Sequence, residues 1–416
     1  MNAMRNFDER KPPKVPAIVL GRGYTGLGTL RSLAMAGIPA YVACPPGDLV
    51  TRSRWYRPLP GNVSWDGEVR ADIDEVLHAL PFPRAVMIAA RDDLALWLAD
   101  LARGPHSQRF RVSSSSREAL EILQDKARFG EFLARTDIPH PRTFTVQSRA
   151  DIDAIPFQDL DRVFIKPADS HNFRRELGVK GIWAETRAEF EEIWARLDAQ
   201  GYKVLAQEYV PGKSSDHYFI DGFRDRDGNL KAMFARRRRR IYPPDFGNSS
   251  YCESIPLAET GAAVGHLTRL LKSLEYRGIF SAEFKRDARD GEFRILEVNT
   301  RAWWYVEFAA RCGMNVCRMA YEDAQEAPVA AAPGHYLVGA GCVNFYRDLK
   351  SVLAERRRGS VTVTLGQALG NWANAHHHVF RWDDPGPALS IVWERMGRAG
   401  AADGVMRAPG KSGERL

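Results

Sequence analysis

The stretch "IFSAEFKRDARDGEFRILEVNTR", residues 279–301, constrains the fold more than any other part of the chain. Two alternating runs flank Asp290-Gly291, a dipeptide that favours a tight hairpin turn. Successive strand side chains point to opposite faces, so Glu297, Asn299 and Arg301 share one face while Leu296 and Val298 take the other. With Asp290 and Gly291 as the two turn residues, Glu283 falls beside the Glu297 to Val298 pair, give or take a small register shift. Carboxylates that close are unfavourable without a cation between them. Two oxygen ligands followed by a guanidinium suit a divalent metal and the phosphoryl or carboxylate group beside it. A strand with one wet face is the plainer alternative, and the rest of the chain decides between them.

The segment "AIVLGRGYTGLGTLRSLAMAGIPAYVAC" reads as strand, glycine turn, helix and strand, with helical spacing through Leu30, Leu33 and Ala34 and a stop at Gly37. Gly21, Gly23 and Gly26 stand in the register of a dinucleotide fingerprint, but "YVACPPGD" offers no acid at the end of the second strand, which demotes NAD. Further α/β material follows: a helix near 71–80, the strand "AVMIAA" and the helix "DDLALWLADLA". From 119 the spacing predicts one amphipathic helix, "ALEILQDKARFGEFLARTD". Beyond it come the strand "RVFIKPADS", the helix "RAEFEEIWARLDAQG", and "YKVLAQEYVPG", a strand running into a hinge. Two strands around Asp227-Gly228, a helix and the opening hairpin complete the regular part. The tail from about 331 is less regular and ends in a glycine-rich stretch expected to fray.

Composition narrows the class. A chain of 416 residues with 44% apolar and 27% charged side chains is an ordinary globular protein of several packed units. Its net charge of +7, with a run at Arg236 to Arg240, fits anionic small-molecule ligands. Five scattered cysteines lack zinc-site spacing and predict free thiols in a reducing, cytoplasmic setting. The first sixteen residues are charged and proline-rich, unlike a secretory signal, and no apolar window of about 20 residues suggests a membrane span.

The order "QDKARF", "FIKPADS", "QEYVPG", "AEFKRD" and "ILEVNTR" resembles the ATP-grasp superfamily. Within it the chain looks most like bacterial carboxylate-amine ligases of the D-aspartate ligase group, on the strength of "LGRGYTGLGTLRSLAMAGI", "SRWYR" and "RRRRRIYPPDFG". The likeness covers roughly 17–325 and implies an α/β ATP-grasp fold with a Rossmann-like N-terminal domain, a mobile α+β lid and a C-terminal α+β catalytic domain. The implied divisions are 1–16 disordered, 17–118 Rossmann-like, 119–208 linker helix and lid, 209–330 catalytic, and 331–416 an extension. ATP and Mg2+ are the implied cofactors, with Mn2+ as a substitute. Lys126 and Lys166 would meet the phosphates, helped by Lys180, and Gln207, Glu208, Tyr209 and Val210 would hold adenine, Glu208 accepting from its amine. Asp216 or His217 falls where ribose or terminal phosphate contacts are expected. Glu283, Glu297 and Asn299 become metal ligands, and Arg301 clamps the transferred phosphoryl group or an acyl phosphate.

Two departures from the pattern stand out. The loop after Lys166 has only Gly178 and Gly181, so Arg174, Arg175 or Lys180 would replace part of a glycine cradle, and "AWWYVEF" after Arg301 argues against biotin and bicarbonate. In the arginine run Arg236, Arg238 and Arg240 face one way and Arg237 and Arg239 the other, so one set, Arg238 included, would reach the cleft. Nucleic acid is the rival ligand for that run, but no aromatic stacking row accompanies it. Three successive histidines, His376 to His378, cannot converge on one metal from a strand or helix and stay unassigned. The expected reaction joins a small-molecule carboxylate to an amine, in a monomer or homodimer with no nucleic-acid or membrane partner. An NAD-dependent oxidoreductase and a non-catalytic ATP-binding regulatory protein are the alternatives.

Overall fold

Four short apolar runs, Ala17–Leu20, Ala40–Ala43, Ala85–Ala89 and Phe110–Val112, pair in parallel in the spatial order second, first, third, fourth. Alternate residues feed different cores: Ile18, Leu20, Met87 and Ala89 one, Ala17, Val19, Val86 and Ile88 the other. A parallel sheet covered on both faces must be written in unbroken apolar runs, as these are. The helix Gly23–Met35 crosses between the first two strands, and Gly37, at a φ of 62°, turns the chain out of it. The computed structural model describes residues 14–61, 63–167, 181–244, 247–359 and 361–402. Most of the N-terminal segment expected to be disordered, together with Arg174, Arg175, Gly178, Lys180 and the end of the glycine-rich tail, lies outside the described residues.

The single amphipathic helix expected from 119 is two, Arg117–Gln124 and Lys126–Arg135. Asp125 breaks it: its carboxylate accepts from the N–H groups of Ala127 and Arg128, each at 2.9 Å, and caps the second helix. Aspartate side chains compete for backbone donors in this way, so a continuous apolar period does not guarantee a continuous helix. A second sheet follows, antiparallel, in the order Thr143–Val146, Val204–Glu208, Val163–Pro167, Ile182–Ala184. The helix Arg187–Asp198 packs on it through Phe190, Ile193 and Leu197, and among the described residues this core draws only on positions 144–206. A unit with its own small core can move as a body.

The third sheet has seven strands: Phe293–Asn299, Gly278–Arg286, His217–Arg224, Leu230–Tyr242, Asn248–Ile255, Gly341–Val343 and His376–His377 in spatial order. On one face Tyr218, Ile220, Ala282 and Phe284 pack with Leu267 and Leu270 of the helix Ala263–Ser273. On the other, Phe223, Phe234 and Ile279 join the core of the first sheet through Leu27, Leu30 and Phe308, while the polar end of the same face borders a cleft. The two-residue turn expected at Asp290-Gly291 is a longer loop, closed by the Asp287 N–H on Glu292 O at 2.8 Å, and Leu296 is bulged out. The two shifts combine to set Glu283 directly opposite Glu297.

The segment from 331 is not an irregular tail. Its two short strands extend the third sheet, and the helices Phe345–Arg357, Leu365–Asn374 and Gly386–Ala402 lie between and after them. Strands of three and two residues carry no readable alternation, which is why the sequence hides them. Buried ion pairs pin the segment down. Arg240 meets Asp348 at 2.6 Å, with Ser250 and Trp372 donating to the same carboxylate, and Arg31 on the first helix reaches Asp384 at 2.9 Å and Glu307 at 3.3 Å.

Candidate active site

Strand parity builds the site. Glu283, Lys285, His217 and Arg238 stand on neighbouring strands of the third sheet, on the face that borders the cleft. Both His217 Nδ1, at 2.6 Å, and Arg238 Nη2, at 3.1 Å, meet Oε1 of Glu283. Burial opposes the charge of Glu283, yet the Arg238 guanidinium and the His217 hydrogen bond hold its carboxyl well below the usual range. Burial, with Arg238 beside it, drops His217 to about 4, so the imidazole is neutral and donates from Nδ1. Lys285 is lowered to about 8 by burial, and its ammonium lies 4.6 Å from the centre of the Tyr209 ring.

A cavity of about 750 Å³ opens where the second sheet, the helix Lys126–Arg135 and the strand Phe293–Asn299 meet. Lys126, Lys166, Gln207, Glu297, Asn299 and Arg301 line it. Lys166 Nζ donates to Gln207 Oε1 at 2.5 Å, and Asn299 Nδ2 lies 3.4 Å from Glu297 Oε1. Arg301 is held by Asp92 at 3.0 Å and by Ala302 O at 3.0 Å, while its Nε is buried with no hydrogen-bond partner. An orphaned guanidinium donor at the wall of a cavity is matched to an anionic oxygen. On the hinge side a second cavity, of about 1180 Å³, is lined by Arg162, Trp183, Tyr209, His217 and Lys285.

Not every expected residue points into the cleft. Glu208 shares the parity of Val204 and Ala206 on the core side of its strand, and its carboxylate takes the Arg142 N–H at 3.1 Å and Arg289 at 2.8 Å. These bonds outweigh burial and keep it ionised, so the side chain fastens the hinge and does not face the cavities. The Tyr209 N–H is committed to Arg162 O at 3.2 Å, and Val210 is buried. Asp216 accepts from the Lys213 N–H at 2.7 Å and pairs with Arg237 at 3.5 Å, leaving His217 as the member of that pair beside the metal-ligand candidates. Within the arginine run, Arg238 reaches Glu283 and Arg236 is buried on Asp221 at 2.7 Å. Arg240 leaves this set, because register shifts on either side of it turn it to Asp348.

Lys285 and the buried hold of Arg238 on Glu283 were not read from the sequence as parts of the site. The signal for Lys285 was there: it sits two residues beyond Glu283 on the same strand face. The dinucleotide reading of the glycine turn does not survive. Asp48, passed over as a ribose ligand, accepts the Gly23 N–H at 3.0 Å and so occupies the helix terminus where a pyrophosphate would sit.

The donor set fits a magnesium ion. Glu283 and Glu297 are opposite in register, with the Asn299 amide beside Glu297, and all three side chains carry oxygen donors of the kind this hard cation takes. Among the described residues no three His, Cys, Asp or Glu side chains converge into a metal cage. Among them, too, no helix is long and apolar enough to cross a membrane.

Known proteins share this fold. No family model matches the chain. It is 28% identical over 211 residues to D-aspartate ligase of Enterococcus faecium (strain Aus0004), a match covering 49% of this chain and 50% of the relative, so the chain spans about half the length of that curated relative. Among solved structures it is similar to carboxyaminoimidazole ribonucleotide synthase from Aspergillus clavatus complexed with ATP, with a TM-score of 0.59 at 12% identity over 77% of this chain and 78% of the other. It is also similar to L-amino acid ligase from Bacillus licheniformis, with a TM-score of 0.54 at 15% identity over 76% and 75%. The chain shares the fold of these two solved structures.

Proposed function

We propose that the protein is an ATP- and Mg2+-dependent ligase that joins a carboxylate to an amine through an acyl phosphate and releases ADP and phosphate. The observation that carries this reading is the register placing Glu283 opposite Glu297, beside a cavity that also gathers Lys126, Lys166, Asn299 and Arg301. Lys126 and Lys166 are compact cations suited to polyphosphate oxygens. Glu283, Glu297 and Asn299 would hold the metal, which when bound neutralises phosphate charge. His217 and Arg238 fix the Glu283 carboxylate in its ionised form. Tyr209, Trp183 and Lys285, lining the hinge-side cavity, offer flat and cationic surfaces for a purine and its ribose phosphate.

In the first step a carboxylate oxygen of the substrate attacks the γ-phosphorus, the bond to the β-phosphate oxygen breaks, and ADP leaves. The Arg301 Nε donor then faces the acyl phosphate, which amine attack converts to an amide with loss of phosphate and of the amine proton. No side-chain nucleophile is needed, since such chemistry rests on positioning and charge neutralisation. The second sheet, with its separate core, is the body that would close and keep water from the acyl phosphate.

The deciding experiment measures ADP release from ATP and Mg2+ with amino acids supplied in pairs, D-aspartate among them because the relative bears its name. Turnover that requires a particular pair and vanishes in Glu297→Ala is the expected result. AMP release would replace the reading with adenylate chemistry. Magnesium-dependent ATP binding without turnover on any pair would favour a binding protein.

A further inference from the structure

The last of the three histidines left unassigned is the most unusual side chain outside the cavities. His378 is 9% exposed and packs against Tyr24 at 5.1 Å, Tyr305 at 5.1 Å and Trp304 at 5.5 Å between ring centroids. Its Nε2 is buried without a hydrogen-bond partner. Burial, with Arg31, Arg347 and Arg236 nearby, lowers its pKa to about 3, so it is a neutral imidazole. Just beyond the strand Gly341–Val343, Asn344 is 6% exposed and also has an orphaned atom, Nδ2, although its Oδ1 accepts the Arg347 N–H at 3.3 Å. The two sit on adjoining backbone, since the His378 N–H bonds Val343 O at 2.8 Å. An unsatisfied buried polar atom is costly, and two together in one corner mark a place where a ligand supplies the partners.

The surroundings say what kind of ligand. Arg236 is neutralised by Asp221 and Arg238 by Glu283, but Arg347, 5.2 Å over the Trp304 ring, has no carboxylate partner among the described residues. One uncompensated guanidinium in a half-buried position calls for one anion. Tyr24 and Trp304, half-buried, flank His378, and half-buried Arg347 adjoins Asn344. Aromatic faces and a neutral imidazole suit an ammonium close to that anion. The corner adjoins the cleft: Tyr305 Oη donates to Ser249 O, and Ser249 Oγ accepts from Arg238, the residue that holds Glu283.

We propose that His378, Asn344 and Arg347, all from the C-terminal segment, combine with Tyr24 and Trp304 to form the binding site for a free α-amino acid, its carboxylate on Arg347 and Asn344. The site rests on the ligase reading, and in that reaction it holds one of the two substrates. It gives the segment after 331 a role in substrate selection as well as in the sheet.

The test is calorimetric titration of the full-length protein, loaded with Mg2+ and a non-hydrolysable ATP analogue, with glycine and both configurations of alanine, aspartate, glutamate and lysine. Saturable binding of at least one of them is expected in the wild type. Arg347→Ala should weaken it by about 30-fold and His378→Gln by about tenfold, as expected for a lost charged and a lost neutral hydrogen bond, with analogue affinity within about twofold. Retained analogue binding shows that the variants are folded. Failure of every amino acid to bind the wild type, or variants that bind like the wild type, overturns the site. Binding that behaves as expected without ADP release from ATP keeps the site and removes the ligase reading. Amino-acid-dependent ADP release unchanged in both variants does the reverse.

Discussion

The two edges of the seven-stranded sheet are built by opposite means. At one edge Gly278–Arg286 and Phe293–Asn299 form a local hairpin of long strands whose alternation is visible in the sequence. At the other, Gly341–Val343 pairs with Tyr251 to Glu253 some ninety residues earlier, and two residues, His376 and His377, close the sheet. The first edge sets Glu283, held by Arg238 and His217, opposite Glu297 in register beside a cavity, an arrangement suited to a ligand. The second carries Arg240, Asp348, Ser250 and Trp372 as one satisfied buried network, which favours stability. The metal-ligand candidates of the first edge and the buried network of the second are therefore separable by mutation.

The largest expected effect is at the hairpin edge. Glu297→Ala should lower ADP formation on the order of 10⁴-fold, equivalent to about 5 kcal/mol, while the thermal midpoint stays within a few degrees. A midpoint that fell as far as the activity would show that the edge is structural after all. At the far edge Asp348→Ala should cost about 3–4 kcal/mol of stability, because the Arg240 guanidinium is left buried and unpaired. Denaturant unfolding measures it, and a loss under about 1 kcal/mol would mean that the network contributes little.

Two smaller effects sharpen the contrast. Lys285 is a cation below about 8 and loses its charge as pH rises through that value. If it meets the nucleotide, kcat/KM for ATP should fall by about tenfold between pH 7 and pH 10, and Lys285→Arg should remove that fall, since an arginine stays charged. A wild-type profile flat over this range would remove Lys285 from the nucleotide site. Asp48→Ala should cost about 1 kcal/mol, the worth of a helix cap, without creating affinity for NAD in a titration. NAD binding in this variant would show that the carboxylate had masked a dinucleotide site.

The legible parts share a physical basis. The runs at 17–20 and 85–89 are apolar throughout because both faces of their sheet are buried, and the period-two polar row at Glu297 and Asn299 survives a misplaced turn. Errors arose where one side chain overrode a pattern. Asp125 cut a helix, Leu296 bulged, and Glu208 followed strand parity toward the core. None of these is visible in periodicity, because each depends on which partner a polar group finds after folding.

By itself the sequence determined the α/β layout, the strand carrying Glu297, Asn299 and Arg301, and the alternation that sends Arg238 toward the cleft. Local period and side-chain parity suffice for that, since both are properties of neighbouring residues. Tertiary structure alone decided that Arg240 turns to Asp348, that Asp48 caps the glycine-turn helix, and that His378 meets Tyr24. His378 and Tyr24 are more than 350 positions apart, and they meet because the last strand of the sheet brings the end of the chain to the first helix. Contacts of that range are set by packing, which no local pattern encodes.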